Sequence, residues 1–272
     1  MKRPADPSHV FDNAIALTPT GPDTYQGRTS PAYGNMVGPF GGVIGATLLN
    51  AIMSHPQRLG DPVSLTVHYA APIADGGFTV KARAVRTNRR TQHWLVELEQ
   101  ATQVITFATA VTAVKRETWS ALDTAIPAVP PPAAVAPRLA HPEVAWTGCY
   151  EMRFIDGLDG AAAPEAHPSR TRLWIRDQPA RPLDYFSLAA ICDAFFPRIY
   201  VRRPGQVPAG TVALTTYFHA DPSELDAQGT EPVLGVARGG NFGKGFFDQD
   251  AEIWSTSHAL LATSHQIVYF KE

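Results

Sequence analysis

Hydrophobic and polar residues alternate with a period of two along several segments of the first half of the chain, a pattern typical of β-strands. The clearest case is VSLTVHYAAP at 63–72, in which Val, Leu, Val and Tyr alternate with Ser, Thr and His. Further strand-like runs follow at 78–86, 92–100 and 103–114. An apolar segment at 40–52 precedes them and has the length of a helix. This half therefore predicts one helix followed by four strands.

The second half of the chain repeats this order. It begins with two strand-like runs, CYEMRFI at 149–155 and RTRLWIR at 170–176. The expected helix is LDYFSLAAICDAFF at 183–196. Four strand-like runs come after it, at 211–222, 232–240, 245–255 and 258–270.

Short sequence echoes support an internal repeat. VSLTVHYAAP in the first half matches VALTTYFHADP in the second, and LLNA at the end of the first helix matches ICDA in the second. Since one helix cannot cover both faces of a sheet, each half is expected to wrap a long antiparallel sheet around its helix and pack on its twin. The alternative is a chance similarity between two α+β modules.

A proline-rich segment separates the halves. Six of the seventeen residues at 126–142 are proline, which favours an extended linker and is incompatible with the interior of a sheet. We therefore predict an N-terminal domain at 1–118, a linker at 119–145 and a C-terminal domain at 146–272.

Composition excludes several classes of protein. The formal net charge of −2 gives no electrostatic reason to expect nucleic-acid binding. No run of eighteen apolar residues predicts a membrane-spanning helix, and the N-terminus lacks the apolar core of a signal peptide. Two cysteines, Cys149 and Cys192, do not make a disulfide framework. We expect a cytoplasmic protein.

Common catalytic signatures are missing as well. The glycine-rich stretches match neither the dinucleotide fingerprint nor the P-loop, and no G-x-S-x-G marks a serine hydrolase. The histidines lack metal-ligand spacing, so no metal is predicted. Cys192 has no recognisable base nearby and is expected to be an inert core thiol.

Five segments in this order carry a resemblance to a known family. They are PFGGVIGATLLNA (39–51), LTVHYAAP (65–72), LAAICDAFFP (188–197), TVALTTYFH (211–219) and LLATSHQ (260–266). Over nearly its whole length the chain resembles the acyl-CoA thioesterase II family, the double-hotdog thioesterases. The resemblance implies an α+β fold of two fused hotdog domains, each a long antiparallel sheet around one central helix.

The same resemblance implies an activity and a set of site residues. Family members hydrolyse fatty acyl-CoA to free acid and CoA without a metal, a cofactor or a covalent intermediate. An Asp on the second helix, a Thr or Ser at the start of the next strand and a Gln near the C-terminus hold and activate the water. By position these are Asp193, Thr211 and Gln266, although Thr215 and Thr216 lie close enough to fill the hydroxyl role.

The residues themselves leave alternatives open. Asp193 follows an apolar stretch, so it is either a solvent-facing acid or a carboxylate whose burial raises its pKa toward that of a useful base. Its counterpart in the first half is Asn50, which suggests a single active site on the second helix. Thr211 also fits simple β-propensity, and Gln266 also fits an edge strand bonded to solvent.

The start of the first helix is unusual. Gly38, Pro39, Gly41 and Gly42 all weaken a helix, yet glycines let a backbone approach a ligand, and a helix N-terminus offers unpaired N–H groups. We expect Phe40, Gly41 and Gly42 to bind the substrate by presenting N–H groups to the thioester carbonyl. The alternative is a helix start that only packs closely on the sheet.

Arginine clusters at 86–90 and 198–203 suit CoA phosphates, but solvated turns are the simpler interpretation and neither cluster is assigned. Two rival functions remain: an enoyl-CoA hydratase of the same fold, which needs a His beside the Asp, and a non-catalytic protein that binds acyl-CoA or lipid. The acyl group, the choice between CoA and a carrier protein, and assembly into a homo-oligomer are left open by the sequence.

Overall fold

The computed structural model describes residues 9–157, 168–203 and 207–271. The first eight residues, on which the expectation of no signal peptide partly depends, lie outside this part. Within it, thirteen strands form one continuous antiparallel sheet, in the order β1-β2-β4-β5-β6-β3-β9-β13-β12-β10-β8-β7 with β11 paired to β12. No helix in the described ranges has the length and apolar character needed to cross a bilayer.

From residue 9 onward, the first half contains two α-helices and six strands. Their bounds are α1 Val10–Ala14, β1 Thr18–Pro19, β2 Thr24–Arg28, α2 Gly41–Ser54, β3 Asp61–Tyr69, β4 Gly77–Thr87, β5 Thr91–Gln100 and β6 Gln103–Ala113. The strands predicted at 63–72, 78–86, 92–100 and 103–114 are confirmed to within a few residues. The short strands β1 and β2 were not predicted, because Tyr25 is the one buried residue in them.

The second half has the same order of elements. Its bounds are β7 Tyr150–Asp156, β8 Thr171–Asp177, α3 Tyr185–Ile191, α4 Arg198–Arg202, β9 Ala209–Phe218, α5 Pro222–Gln228, β10 Val233–Arg238, β11 Phe242–Gly243, β12 Phe246–Trp254 and β13 Leu260–Phe270. Read outward from the centre of the sheet, β3-β6-β5-β4 in one half corresponds to β9-β13-β12-β10 in the other.

The halves join where β3 pairs antiparallel with β9. Thr66 lies opposite Thr215, and their hydroxyl oxygens are 3.0 Å apart. These two threonines are equivalent positions of the sequence echo, so the repeat relates the halves by an approximate two-fold axis through this pair. The predicted α+β fold of two fused hotdog domains is confirmed.

The two central helices pack on each other inside the curved sheet. Helix α2 is buried on all sides from Gly42 to Met53, which explains why its sequence is apolar throughout. Helix α3 is shorter than the predicted 183–196. It ends at Ile191, where the chain tightens into a turn in which the Asp193 amide donates to the Ala190 carbonyl at 3.1 Å.

The proline-rich linker runs along the outer face of the second half. Ile126, Val129 and Val135 pack against a cluster formed by Trp174, Leu234 and Trp254. The Trp174 indole also donates to the Pro130 carbonyl at 2.9 Å. The linker segment is therefore bound to the outer face of the sheet, and it contains a short 3-10 helix at Pro132–Ala134.

Candidate active site

A cavity of about 170 Å³ lies where the two halves and the linker meet. The first half contributes Phe40, the linker contributes His141, and the second half contributes Asp193, Thr211 and Gln266. The three residues predicted to hold a water therefore line one cavity, although they are far apart in the sequence.

Asp193 occupies the turn that follows helix α3. It is partly exposed because it faces the cavity, yet burial raises its pKa from 3.8 to about 7. A hydrogen bond from the Gly42 backbone amide lowers the pKa by a smaller amount. A carboxylate with this pKa is half deprotonated near neutral pH and has the basicity that general-base catalysis requires.

The glycines that begin helix α2 are explained by the close approach of the turn that carries Asp193. A Cβ atom on Gly41 would lie 2.7 Å from the Asp193 Oδ2 atom, and a Cβ on Gly42 would lie 2.5 Å from the Ala190 carbonyl oxygen. Any larger residue would push the carboxylate away from the helix. The helix begins with poor helix formers because the second half packs directly against its first turn.

The backbone amides of this first turn have different partners. The Phe40 amide donates to the Tyr33 carbonyl at 2.7 Å, and the Gly42 amide donates to Asp193. The Tyr69 hydroxyl donates to the Gly41 carbonyl at 2.8 Å and so helps to hold the turn in place. Phe40 lines the cavity, and the predicted contact of Phe40, Gly41 and Gly42 with a thioester carbonyl stays a prediction.

A β-bulge directs Thr211 into the cavity. On strand β13, Ile267 pairs with Ala213 and Val268 pairs with Thr211, so Val212 is an extra residue on β9. Because one extra residue reverses the alternation of faces, Thr211 points to the same inner face as Gln266. Bulges of this kind commonly aim side chains at functional sites.

Thr211 and Gln266 form a hydrogen-bonded pair. The Thr211 hydroxyl donates to the Gln266 side-chain oxygen at 3.0 Å. Gln266 is buried, on the face of strand β13 that it shares with the buried residues Ser264 and Val268. With its oxygen engaged by Thr211, the group that Gln266 has for a ligand in the cavity is its NH₂ donor.

The neighbouring threonines lie elsewhere. Thr215 bonds to Thr66 at the junction of the halves. Thr216 is buried beside Cys192. Among these three threonines, Thr211 is the one that lines the cavity.

Asn50 and Cys192, which the sequence also singled out, have surroundings typical of residues that support the fold. Asn50, the counterpart of Asp193, donates to the Ile15 carbonyl at 2.8 Å and accepts from Ser54. Cys192 is fully buried, and burial raises the pKa of its thiol to about 12, which fits the expected inert core residue. Among the described residues, no group of three or more His, Cys, Asp or Glu side chains is arranged to hold a metal.

The two arginine clusters differ from each other. Arg86, Arg89 and Arg90 are exposed at the turn between β4 and β5, as expected of a solvated turn. That interpretation is wrong for Arg198, which is fully buried and donates to the Gln249 side chain at 2.8 Å. Arg198 begins helix α4 and precedes Ile199 and Tyr200. The sequence pattern of such a segment is the same whether the arginine is buried or exposed.

His141 and the aromatic wall of the cavity were not found from the sequence. His141 was assigned to the linker, and its ring accepts a hydrogen bond from the Glu143 amide at 3.2 Å. Trp146 also lines the cavity, stacked on Phe40 with ring centroids 4.3 Å apart. The aromatic residues at 146–150 were the available signal, but nothing in their spacing identifies a cavity.

Comparisons with known proteins agree with this architecture. A family model described as the acyl-CoA thioesterase C-terminal domain matches residues 124–270, and one described as the N-terminal domain matches residues 30–113. A search of curated protein sequences found no match.

Several solved structures are similar over almost the whole chain. A conserved hot dog protein of unknown function from Alicyclobacillus acidocaldarius is 47% identical, with a TM-score of 0.92 over 97% of this chain and 99% of that one. An acyl-CoA thioesterase II from Mycobacterium marinum has a TM-score of 0.76 and 16% identity, covering 96% of this chain and 98% of that one. A TesB protein from Mycobacterium avium subspecies paratuberculosis has a TM-score of 0.77 and 16% identity, covering 96% of this chain and 98% of that one. The last two show likeness of fold alone.

Proposed function

Because this chain belongs to the acyl-CoA thioesterase family, we propose that it is a thioester hydrolase that converts acyl-CoA to the free acid and CoA. The observation that carries the proposal is a carboxyl with a pKa of about 7, Asp193, in the same cavity as the hydrogen-bonded pair Thr211 and Gln266. A base, a hydroxyl and an amide donor are what the positioning and activation of one water require.

The proposed reaction begins with a water held between Asp193 and the Thr211–Gln266 pair. Asp193 takes a proton from the water while the water oxygen attacks the thioester carbon. This attack produces a tetrahedral oxyanion. The oxyanion collapses by breaking the carbon–sulfur bond, and the proton on Asp193 passes to the departing thiolate. Both products are then complete and Asp193 is again a carboxylate.

Stabilisation of the oxyanion is assigned to the first turn of helix α2. The amides of Phe40 and Gly42 already donate to Tyr33 and Asp193. We therefore assign the donor role to the Gly41 amide, which belongs to the residue packed directly against the Asp193 carboxyl. The positive end of the helix dipole acts in the same direction.

A hydratase is the second candidate because His141 lines the same cavity as Asp193. That observation supplies the His which the sequence around the second helix lacked. In this alternative, water adds to an unsaturated acyl-CoA and no thiol is released. A non-catalytic protein would instead bind acyl-CoA without turnover.

The test is thiol release from a panel of acyl-CoAs by the wild type, Asp193→Asn and the matched control Asp221→Asn. Asp221 caps helix α5 and does not line the cavity. We expect turnover in the wild type and the control, and a loss of about 10²- to 10⁴-fold in Asp193→Asn. A hydroxyacyl product without thiol would select the hydratase, and binding without any product would select the non-catalytic protein.

A further inference from the structure

The cavity is small, at about 170 Å³, and we propose that the site takes thioesters with a compact acyl group. By compact we mean an aromatic ring or a chain of about six carbons or fewer, at about 30 Å³ per group. The proposal rests on the proposed thioester hydrolysis and names its substrate class. It narrows the acyl group, which the sequence leaves open.

The volume of the cavity favours a small acyl group. The cavity holds about 170 Å³, whereas an apolar protein cavity of about 150 Å³ accommodates one benzene molecule. A methylene group occupies about the volume of a water molecule, about 30 Å³, so a sixteen-carbon chain needs on the order of 480 Å³. A sixteen-carbon chain therefore exceeds this space almost threefold and would have to extend out of the cavity through its open side.

Aromatic side chains form the apolar wall. Phe40 and Trp146 are stacked with their planes 12° apart, and Phe195 and Phe196 extend the wall beside Asp193. A wall of rings offers a flat apolar surface that suits an aryl or short acyl group.

Each part of this wall is fixed by a second contact. The Phe195 ring lies over Gly235, where a Cβ atom would be only 2.7 Å from the ring. The Arg138 guanidinium lies 5.0 Å from the centre of the Phe196 ring. Phe154 packs on the same ring with its centroid 5.8 Å away. These rings cannot swing aside without losing their own packing.

The backbone of the wall is also fixed, by the buried Arg198. Its guanidinium donates to the Phe196 carbonyl, to the Thr171 hydroxyl at 2.6 Å and to the Ser169 carbonyl at 3.2 Å. Strand β8 and the residues before it are thereby tied to the segment that follows Asp193. Opening the wall would break several bonds to a buried charge, so the cavity volume is a property of the folded chain.

The proposal predicts a definite chain-length profile. Each methylene buried in the cavity raises kcat/KM by about fourfold until the space is filled. We therefore expect kcat/KM to increase from acetyl-CoA to hexanoyl-CoA, to be high for benzoyl-CoA, and to fall for decanoyl-CoA and palmitoyl-CoA.

The experiment measures kcat/KM for these five thioesters, below their micelle concentrations, with the wild type, Phe196→Ala and the control Phe107→Ala. Phe196→Ala removes six ring carbons from the wall, so the decanoyl-to-hexanoyl ratio should rise at least tenfold. Phe107 lies on strand β6, stacks on His68 and does not line the cavity, so its variant should leave the ratio unchanged. If Phe196→Ala does not fold, Phe196→Leu tests the same wall with a smaller change.

The outcomes separate the two proposals. Equal or better turnover of palmitoyl-CoA than of hexanoyl-CoA by the wild type would overturn the compact-acyl proposal and leave thioester hydrolysis intact. An equal shift of the ratio in both variants would also overturn it, because the wall would not be the cause. Folded wild type that releases no thiol from any of the five substrates would refute the hydrolysis itself, and with it the compact-acyl proposal.

Discussion

Replacing Asp193 by Asn should stabilise the folded protein, and the gain should increase with pH. Burial raises the pKa of Asp193 from 3.8 to about 7. Between these values the folded state holds a proton that the unfolded state has released, so wild-type stability falls as pH rises. Asn is neutral at every pH and avoids this loss.

The magnitude follows from the two pKa values. At pH 8 the ionisation of Asp193 destabilises the wild type by about 4 kcal/mol, and at pH 5 by about 2 kcal/mol. The advantage of Asp193→Asn should therefore increase by about 2–3 kcal/mol from pH 5 to pH 8. Changes in the hydrogen bond with the Gly42 amide add a pH-independent offset and do not alter this difference.

The assay is urea unfolding at pH 5 and pH 8, with extrapolation to water. Asp177 is also buried, and burial raises its pKa to about 6. Its contribution is the same in the wild type and in Asp193→Asn, so it cancels in the comparison. Asp221→Asn is the control. Hydrogen bonds from Ser223 and the Glu224 amide lower the pKa of Asp221, so its contribution is complete above pH 4 and its variant should show no change between the two pH values. A variant of Asp193 whose advantage is the same at pH 5 and pH 8 would refute a buried carboxyl of raised pKa.

Further predictions follow from the same geometry. The kcat/KM of the wild type should rise with pH through about 7 and then level off, because deprotonated Asp193 is the active form; a pH profile that is flat from 5 to 9 would contradict this. Thr211→Val and Gln266→Leu should each lower kcat/KM about tenfold or more. In a double-mutant cycle, the kcat/KM of the double variant should fall by less than the product of the two single losses. Fully multiplicative losses would mean that the two side chains act separately. Gly42→Ala should destabilise the fold by about 1–3 kcal/mol in urea unfolding, whereas Gly243→Ala, with open space around it, should be neutral.

Most of the fold could be predicted because it depends on periodic burial and on the repeat. The strands at 78–86 and 92–100 alternate clearly, and the echo between 63–72 and 212–222 placed the equivalent strands that pair at the centre of the sheet. Strand β2 was missed, since a single buried residue gives no period. The end of helix α3 was misplaced, because the apolar pattern continues through Phe195 and Phe196 after the helical hydrogen bonds have stopped.

The candidate site was predicted through a resemblance, and only part of its physics was accessible from the residues. Apolar neighbours of Asp193 suggested a raised pKa, which the buried turn now explains. The choice of Thr211 over its neighbours depends on a bulge at Val212, and no residue pattern predicts a bulge there. The contact of Gly42 with Asp193 joins residues about 150 positions apart, so it could not be inferred before the halves were placed together.

The contact between the first turn of α2 and Asp193 makes the chain suitable for fragment complementation. The carboxylate belongs to one half, the amide that contacts it belongs to the other, and Phe40 lines the cavity from the first half. Neither half alone contains a complete site, and the pairing of β3 with β9 supplies an interface through which separate pieces would reassemble. Cut within the linker, this protein would report the meeting of its two fragments by the return of the proposed hydrolase activity.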